Sequence, residues 1–489
     1  MHIGELAQLI AQHPELDVLS KEISRKCGKH FLLSNLYASA RGLILSALYH
    51  KLQHQTGQSL LITLSNTDEA QYMYADIKTL IDERNVYFFP CSHRRRQKTD
   101  EALTVQRTEV LTALLSEHAK GESKKASPII VTTPEALAES VPNPQVLEKN
   151  KITLAVGDEL PISKLTEMLL NLDFKRVDFV YEPGQFAVRG GIVDVYSFAH
   201  DIPMRIDFFG DEIDSIREFE LETQLSQNKV DKVSIVASSS DEKSQVDLTA
   251  YLPPKTLWIS NDFSLANYKI KSAITEFDAT LLTQAMEETT TIELNQKSTY
   301  PTHHLVAFDT LPQPTFNKNF DLLIDDLQHR TKDGYRIYIL ADQVKQTDRL
   351  KAIFDDKESG IQFVPVDHAL HEGFIDQSAK ICCYTDHQIF ERYHRVTLRS
   401  ENARRGKAII TLKEINQLQV GDYVVHEING IGIFDGIKTM NVGGKIKDFI
   451  KVNFRGSDVL YVPVTQLDLI SRYISPKDTD KAVKLNRLG

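Results

Sequence analysis

The sequence predicts a multidomain α/β protein. It should hold a parallel-sheet domain with the layout of a degenerate phosphate-loop fold, a β-rich segment inserted into that domain, a second small α/β unit, and a small β-barrel near the C-terminus. Three observations predict this. At 489 residues the chain exceeds one ordinary core. Between residues 30 and 141 apolar strands alternate with helical patterns, as βαβ units do. Two later stretches, 152–236 and 422–464, are rich in strand residues and broken by glycine turns.

Composition bounds the function. Hydrophobic residues at 42% and charged residues at 25% describe a globular chain. A net charge of −10 lacks the basic footprint of a phosphate-binding surface, so nucleic-acid grip is expected from a partner or from a segment outside this sequence. Cys27, Cys91, Cys382 and Cys383 have no zinc-ligand or CxxC spacing and read as reduced, buried thiols. No apolar run reaches the ~18 residues of a membrane span, and "MHIGELAQLIAQHPEL" is unlike a signal peptide. A cytoplasmic chain with no membrane partner is the expectation.

In the first domain, "FLLSN", "SLLITLS", "VYFFP" and "PIIVTTP" are the strands, and "TLWIS" and "HLVAF" complete the layer after the insertion. The place for a phosphate loop reads "LLSNLYASARGL". It has no glycine before Gly42 and no Gly-Lys-Ser/Thr, so backbone amides cannot wrap a triphosphate there. "DEAQ" at 68–71 spells a helicase box but sits at a helix start. "CSHRRRQK" at 91–98 is the one dense basic run and reads first as a solvated loop. The "HEG" at 371–373 and His303-His304 read as loop residues rather than metal ligands. No nucleophile, base and orienting group stand at a recognisable spacing, so no catalytic residue, cofactor site or metal site is assigned.

"GQFAVRGGIVDVYSF", 184–198, reads as two strands meeting at Gly190-Gly191, in a turn or a bulge. Alternation puts Phe186 and Val188 on one apolar face and Val193 and Val195 on another, with Arg189, Asp194 and Tyr196 facing away from the core. Arg189 and Asp194 then form a local ion pair, or Arg189 is held on a rigid sheet for a partner's carboxylate. Strands "YRIYIL", "IQFVPV" and "AKICCYT" mark the small α/β unit at 318–396, and the charged "RSENARRGK" reads as linker. Asn429-Gly430, Gly443-Gly444 and "RGSD" separate the strands of the barrel.

Residues 174–226, from "FKRVDF" to "ELETQLS", resemble the UvrA-binding domain shared by UvrB and the bacterial transcription-repair coupling factors (Mfd). "LQVGDYVVHEINGIGIFDGIKTMNVGG" with "LYVPVTQLDLISRY" resembles the RNA polymerase-interacting, CarD-like domain of the same family, a Tudor-like barrel that UvrB lacks. The resemblance implies these boundaries: a degenerate UvrB-like domain at 1–136 and 227–316, a UvrA-binding domain at 137–226, a small α/β domain at 318–396, a linker at 397–413, a CarD-like domain at 414–476 and a tail at 477–489. In the family a DNA translocase follows, so the sequence reads as an expression fragment or a truncated reading frame.

By the same resemblance Arg176, Arg189, Tyr196 and Arg205 would face UvrA, with Arg217 a weaker candidate. Met440 would face the RNA polymerase β subunit, or merely fill the barrel, with Ile437, Lys438 and Thr439 assigned by adjacency. ATP, magnesium and most DNA contact would belong to the translocase, leaving no cofactor and no catalysis here. The implied function is an adaptor in transcription-coupled nucleotide excision repair. The rivals are a UvrB-like ATPase with an unrecognised nucleotide site and a free-standing CarD-like regulator.

Overall fold

A computed structural model describes residues 1–25, 29–81, 85–94, 98–99, 101–118, 127–221, 223–237, 245–273, 279–392, 420–426, 429–442, 445–456, 458–463 and 470–472. The expected linker at 397–413, the tail at 477–489, the polar break at 238–244, Cys27 and Gly443-Gly444 lie outside the described residues. The chain divides into two compact units, one of Met1–Asn150 with Ser238–Leu398, the other of Lys151–Ala237 with Arg399–Gly489.

The first unit holds a seven-stranded parallel sheet. In spatial order its strands are His304–Ala307, His30–Ser34, Thr291–Glu293, Leu257–Ser260, Leu60–Thr63, Ile129–Thr132 and Val86–Phe89. Burial on both faces explains why His30–Ser34, Leu60–Thr63, Ile129–Thr132 and Leu257–Ser260 read as unbroken apolar runs. Residues beyond the insertion complete the layer, as the strand pattern predicted. Asn66 caps the helix Thr67–Leu80 by accepting from the Glu69 N–H, so "DEAQ" is a helical first turn.

The loop in the phosphate-loop position is tied to the chain's own side chains. Asn35 and Ala38 adopt left-handed backbone there. The Tyr37 N–H donates to Thr310 Oγ1 at 3.0 Å and the Ser39 hydroxyl donates to the buried Asp76 carboxylate at 2.5 Å. Backbone N–H groups of His371 and Glu372 close on Asp76 and Ser39 at 2.7 and 2.9 Å. The "HEG" loop is therefore a docking element between two sheets.

The second sheet of this unit runs Thr310–Pro312, Phe374–Asp376, Ile381–Thr385, Arg336–Leu340, Val364–Val366. Residues 318–396 were expected as a separate domain. They instead share one apolar core with the first sheet and with the helix Ile3–Ile10, through Tyr338, Leu340, Val366, Phe374 and Cys383. Helices Phe320–Lys332 and Val344–Asp356 cover the opposite face. Alternation sends one strand face to each layer, so the unit cannot close without its neighbour. Burial pushes the Cys382 thiol up to about 12 and Cys383 well above the ordinary range, which leaves both as inert apolar groups.

The insert spans Lys151–Ala237 rather than 137–226. Residues 141–142 pair with Gln245–Val246 in the first unit, whereas Lys232–Val236 pairs with Lys151–Ala155 inside the insert. The six-stranded sheet runs Ser226–Val230, Glu212–Phe219, Met204–Phe209, Ile192–Val195, Gln185–Arg189, Lys175–Arg176. One face packs Phe186, Val193, Val195, Ile206 and Ile216 against Leu165 and Leu169 of the helix Ile162–Asn171.

Candidate partner-binding surfaces

Arg189 pairs with Ile192, so Gly190-Gly191 forms a two-residue turn, with Gly190 at φ 59°. The register then sets Ala187, Asp194, Arg205, Arg217 and Lys229 in one row across five strands, with Arg189, Ile192, Asp207 and Ser215 in the next. This is the face turned away from the larger core. It was expected to be open, but it has a small core of its own, built from Val180, Ala187, Tyr196, Phe219 and Leu221.

Asp194 is fully buried at the centre of that face. Arg205 clamps it with a fork, Nε to Oδ1 at 2.7 Å and Nη2 to Oδ2 at 3.0 Å, and Arg189 closes on the same Oδ2 through Nη2. Arg205 also donates to the Gln224 carbonyl at 3.1 Å and lies over the Phe219 ring, which leaves its side chain 13% exposed. The Asp194 hydrogen bonds raise the pKa of Arg205 above its already high value. Arg189 is different. It is 35% exposed, it rests on the half-exposed Phe179 ring, and its Nε and Nη1 have no partner among the described residues. Both readings of Arg189 therefore hold at once, since one nitrogen fixes the fork and the rest can meet a carboxylate.

Arg176 is exposed, and with Val177, Asp178, Phe179, Val188 and Arg189 it lines a groove of about 700 Å³. Arg217 is paired with Asp207. Tyr196 must be corrected: it is fully buried, and its hydroxyl donates to the Asp201 carbonyl at 2.8 Å. Its aromatic ring supports the surface from below and presents nothing to a partner. The sequence reading missed Phe209, which is 82% exposed at the Gly210-Asp211 hairpin tip. Alternation from Met204, Ile206 and Phe208, which face the larger core, was the signal that Phe209 points the other way.

The C-terminal sheet has the order Val459–Pro463, Lys445–Asn453, Gly430–Val442, Tyr423–His426, Ile470–Arg472. Among the described residues no ladder joins its first strand to its last, so the expected barrel is seen here as an antiparallel sheet. The Asn429-Gly430 hairpin also differs from expectation. His426 pairs with Gly430, so Gly430, at φ 75°, opens the strand instead of sitting in a two-residue turn.

The long strand Gly430–Val442 changes role midway. Residues 430–433 pair with 423–426; a bulge at Asp435-Gly436 follows, with Gly436 at φ 85° and Asp435 bridged to Lys451 at 2.6 Å. From Ile437 to Val442 the strand pairs with Lys445–Ile450 on one side, and no strand pairs on the other among the described residues. Ile437 is 47% exposed, Lys438 and Thr439 are exposed, and Met440 is half-buried. The four candidates thus share one edge.

His2, Asp367 and His368 gather at the surface. His2 Nδ1 accepts the Gly4 N–H at 3.0 Å as a helix cap, which puts the proton of the neutral ring on Nε2, the atom nearest Asp367. Asp367 in turn accepts the Ile3 N–H at 2.9 Å, so the cluster is explained by capping the first helix.

Comparison with known proteins bears on both surfaces. Residues 152–240 match the UvrB interaction domain and residues 418–474 match the CarD-like/TRCF RID domain. Along 98% of its length the chain is 24% identical to a transcription-repair-coupling factor of Staphylococcus haemolyticus (strain JCSC1435), and along 94% it is 24% identical to one of Staphylococcus aureus (strain bovine RF122 / ET3-1). Over nearly its whole length the chain is thus similar to transcription-repair-coupling factors. It spans about half the length of these relatives, 48% and 46%. The matched UvrB interaction domain coincides with the compact insert, and the matched CarD-like domain holds the edge strand. No helix among the described residues is long and apolar enough to cross a membrane.

Proposed function

We propose that this chain is an adaptor in transcription-coupled nucleotide excision repair. It binds RNA polymerase through the Ile437–Met440 edge and recruits UvrA through the arginine face of the insert. Its own contribution is binding and positioning, and ATP-driven translocation on DNA is proposed for the whole protein. The observation that carries the reading is the arrangement around Asp194: one largely covered arginine that fixes the carboxylate, a second more exposed one with free donors, and Phe209 exposed on the same side. Arginine and aromatic side chains held rigid in this way are the usual anchors of protein interfaces.

Titrating purified UvrA against the chain and its Arg189→Ala variant tests this. The expected loss is at least ~1 kcal/mol, with circular dichroism unchanged. Unchanged affinity in the folded variant would reduce Arg189 to a structural partner of Asp194. Saturable binding of a fluorescent ATP analogue would favour the ATPase reading instead.

On the polymerase side, an edge strand recognises its partner by extending the partner's sheet, with main-chain hydrogen bonds for affinity and side chains for specificity. An Ile437→Glu variant should bind the polymerase β subunit roughly tenfold more weakly, because a carboxylate would have to be desolvated at the contact. Equal binding in a pull-down titration would move the interface away from this edge.

A further inference from the structure

We propose that the second sheet of the first unit carries a phosphate-binding pocket. The pocket has a volume of about 320 Å³ and is lined by Lys318, Phe320, Gln346, Arg349, Phe390 and Arg392. Its place in the topology is the first argument. Arg336–Leu340 pairs in parallel with Val364–Val366 on one side and Ile381–Thr385 on the other. The crossover from the central strand therefore goes one way and the chain returns on the other. Gln346 and Arg349 lie on the helix that follows the central strand, and Phe390 and Arg392 lie just beyond the short helix after Ile381–Thr385. In open α/β sheets this crevice at the carboxyl ends of the strands is where ligands bind.

The lining chemistry is the second argument. Every charged residue in the lining is a cation, in a chain whose net charge is −10. The Arg349 and Arg392 guanidinium groups lie over the Phe390 ring, 4.9 and 5.3 Å from its centroid, and Phe320 meets the same ring edge-on. Stacking holds a guanidinium plane in place while leaving its donors at the rim, which suits a fork for phosphate oxygens. The acids nearby are already engaged: Glu391 bridges Lys318 at 3.3 Å, and the buried Asp386 holds Arg392. Arg349 has no carboxylate partner among the described residues.

Backbone strain gathers at the rim as well. Asn317, Lys318 and Glu391 all adopt left-handed backbone without being glycine. Such conformations persist only where the surroundings enforce them, and they concentrate at ligand sites.

The test is calorimetric titration of inorganic pyrophosphate into the full chain at low ionic strength, with the Arg349→Gln variant in parallel. Saturable binding is expected, weakened roughly tenfold or more in the variant and falling with added salt, while the thermal midpoint of the variant stays put. A Lys318→Gln variant, at a second cation of the lining, should also weaken binding. Short duplex DNA, titrated in the same way, distinguishes the source of the phosphate. Binding of duplex that Arg349→Gln weakens assigns the site to a nucleic-acid backbone, and binding of pyrophosphate alone assigns it to a small phosphate ester. No saturation with either probe, or equal binding by parent and variant, overturns the proposal.

Discussion

Replacing Asp194 with alanine is expected to cost the insert about 3–5 kcal/mol, the usual penalty for removing one partner of a buried ion pair. Asp194 is fully buried and receives three hydrogen bonds from two arginines. Without it, the largely covered Arg205 keeps only the neutral Gln224 carbonyl and Ser226 hydroxyl as hydrogen-bond partners. Arg189, half-exposed, can swing into water, so Arg189→Ala should cost less than ~1 kcal/mol of stability. Hydrogen exchange of the Gln185–Arg189 and Ile192–Val195 amides reads the difference directly. Protection should fall sharply in Asp194→Ala and barely in Arg189→Ala, and UvrA binding should fall in both. Equal protection in the two variants would mean that the fork carries no structural weight.

Gly373→Ala is expected to destabilise the first unit by about 3 kcal/mol, at the upper end of what overpacking does. A Cβ at this position would lie 2.0 Å from Gln313 Oε1 and 2.7 Å from the Cys383 carbonyl oxygen. The second contact is backbone in a central strand and cannot yield. The first matters too, because Gln313 Oε1 accepts the Thr385 N–H, and Gln313 N–H donates to the Gly373 carbonyl. Moving Gln313 aside leaves a buried amide unpaired. Since the adjacent His371 and Glu372 amides dock on Asp76 and Ser39, the variant should also loosen the second sheet from the first. Urea unfolding followed through Trp258, the only tryptophan, reports on this unit. An unchanged midpoint would show that the loop adapts at no cost.

Much of this architecture follows from local chemistry. The parallel strands of the first unit are visible as apolar runs because both faces are buried, and the helix at Thr67–Leu80 announces itself through the Asn66 cap. The Gly190-Gly191 turn needs only the positive φ that glycine supplies. Period-two alternation grouped Phe186 with Val188 and Val193 with Val195 but set the two pairs on different faces; the hairpin register puts all four on one core face, and alternation applied one strand further would have singled out Phe209. Resemblance nominated Arg176, Arg189 and Arg205, and the structure separates them into an exposed residue, one shared between Asp194 and solvent, and a largely covered one.

What the sequence could not assign were choices between surfaces. Alternation places Tyr196 and Asp194 opposite the main core, but whether that side meets water depends on Val180, Phe219 and Leu221, residues up to 41 positions apart that only register brings together. The same holds for residues 318–396, whose strands look self-sufficient until one face is found sharing the core of a sheet formed hundreds of residues earlier. The local pattern of side chains determined which residues would be strands, turns and caps. Long-range packing decided which apolar face was covered and by what, because burial is a property of the partner across the interface and leaves no mark on the segment itself.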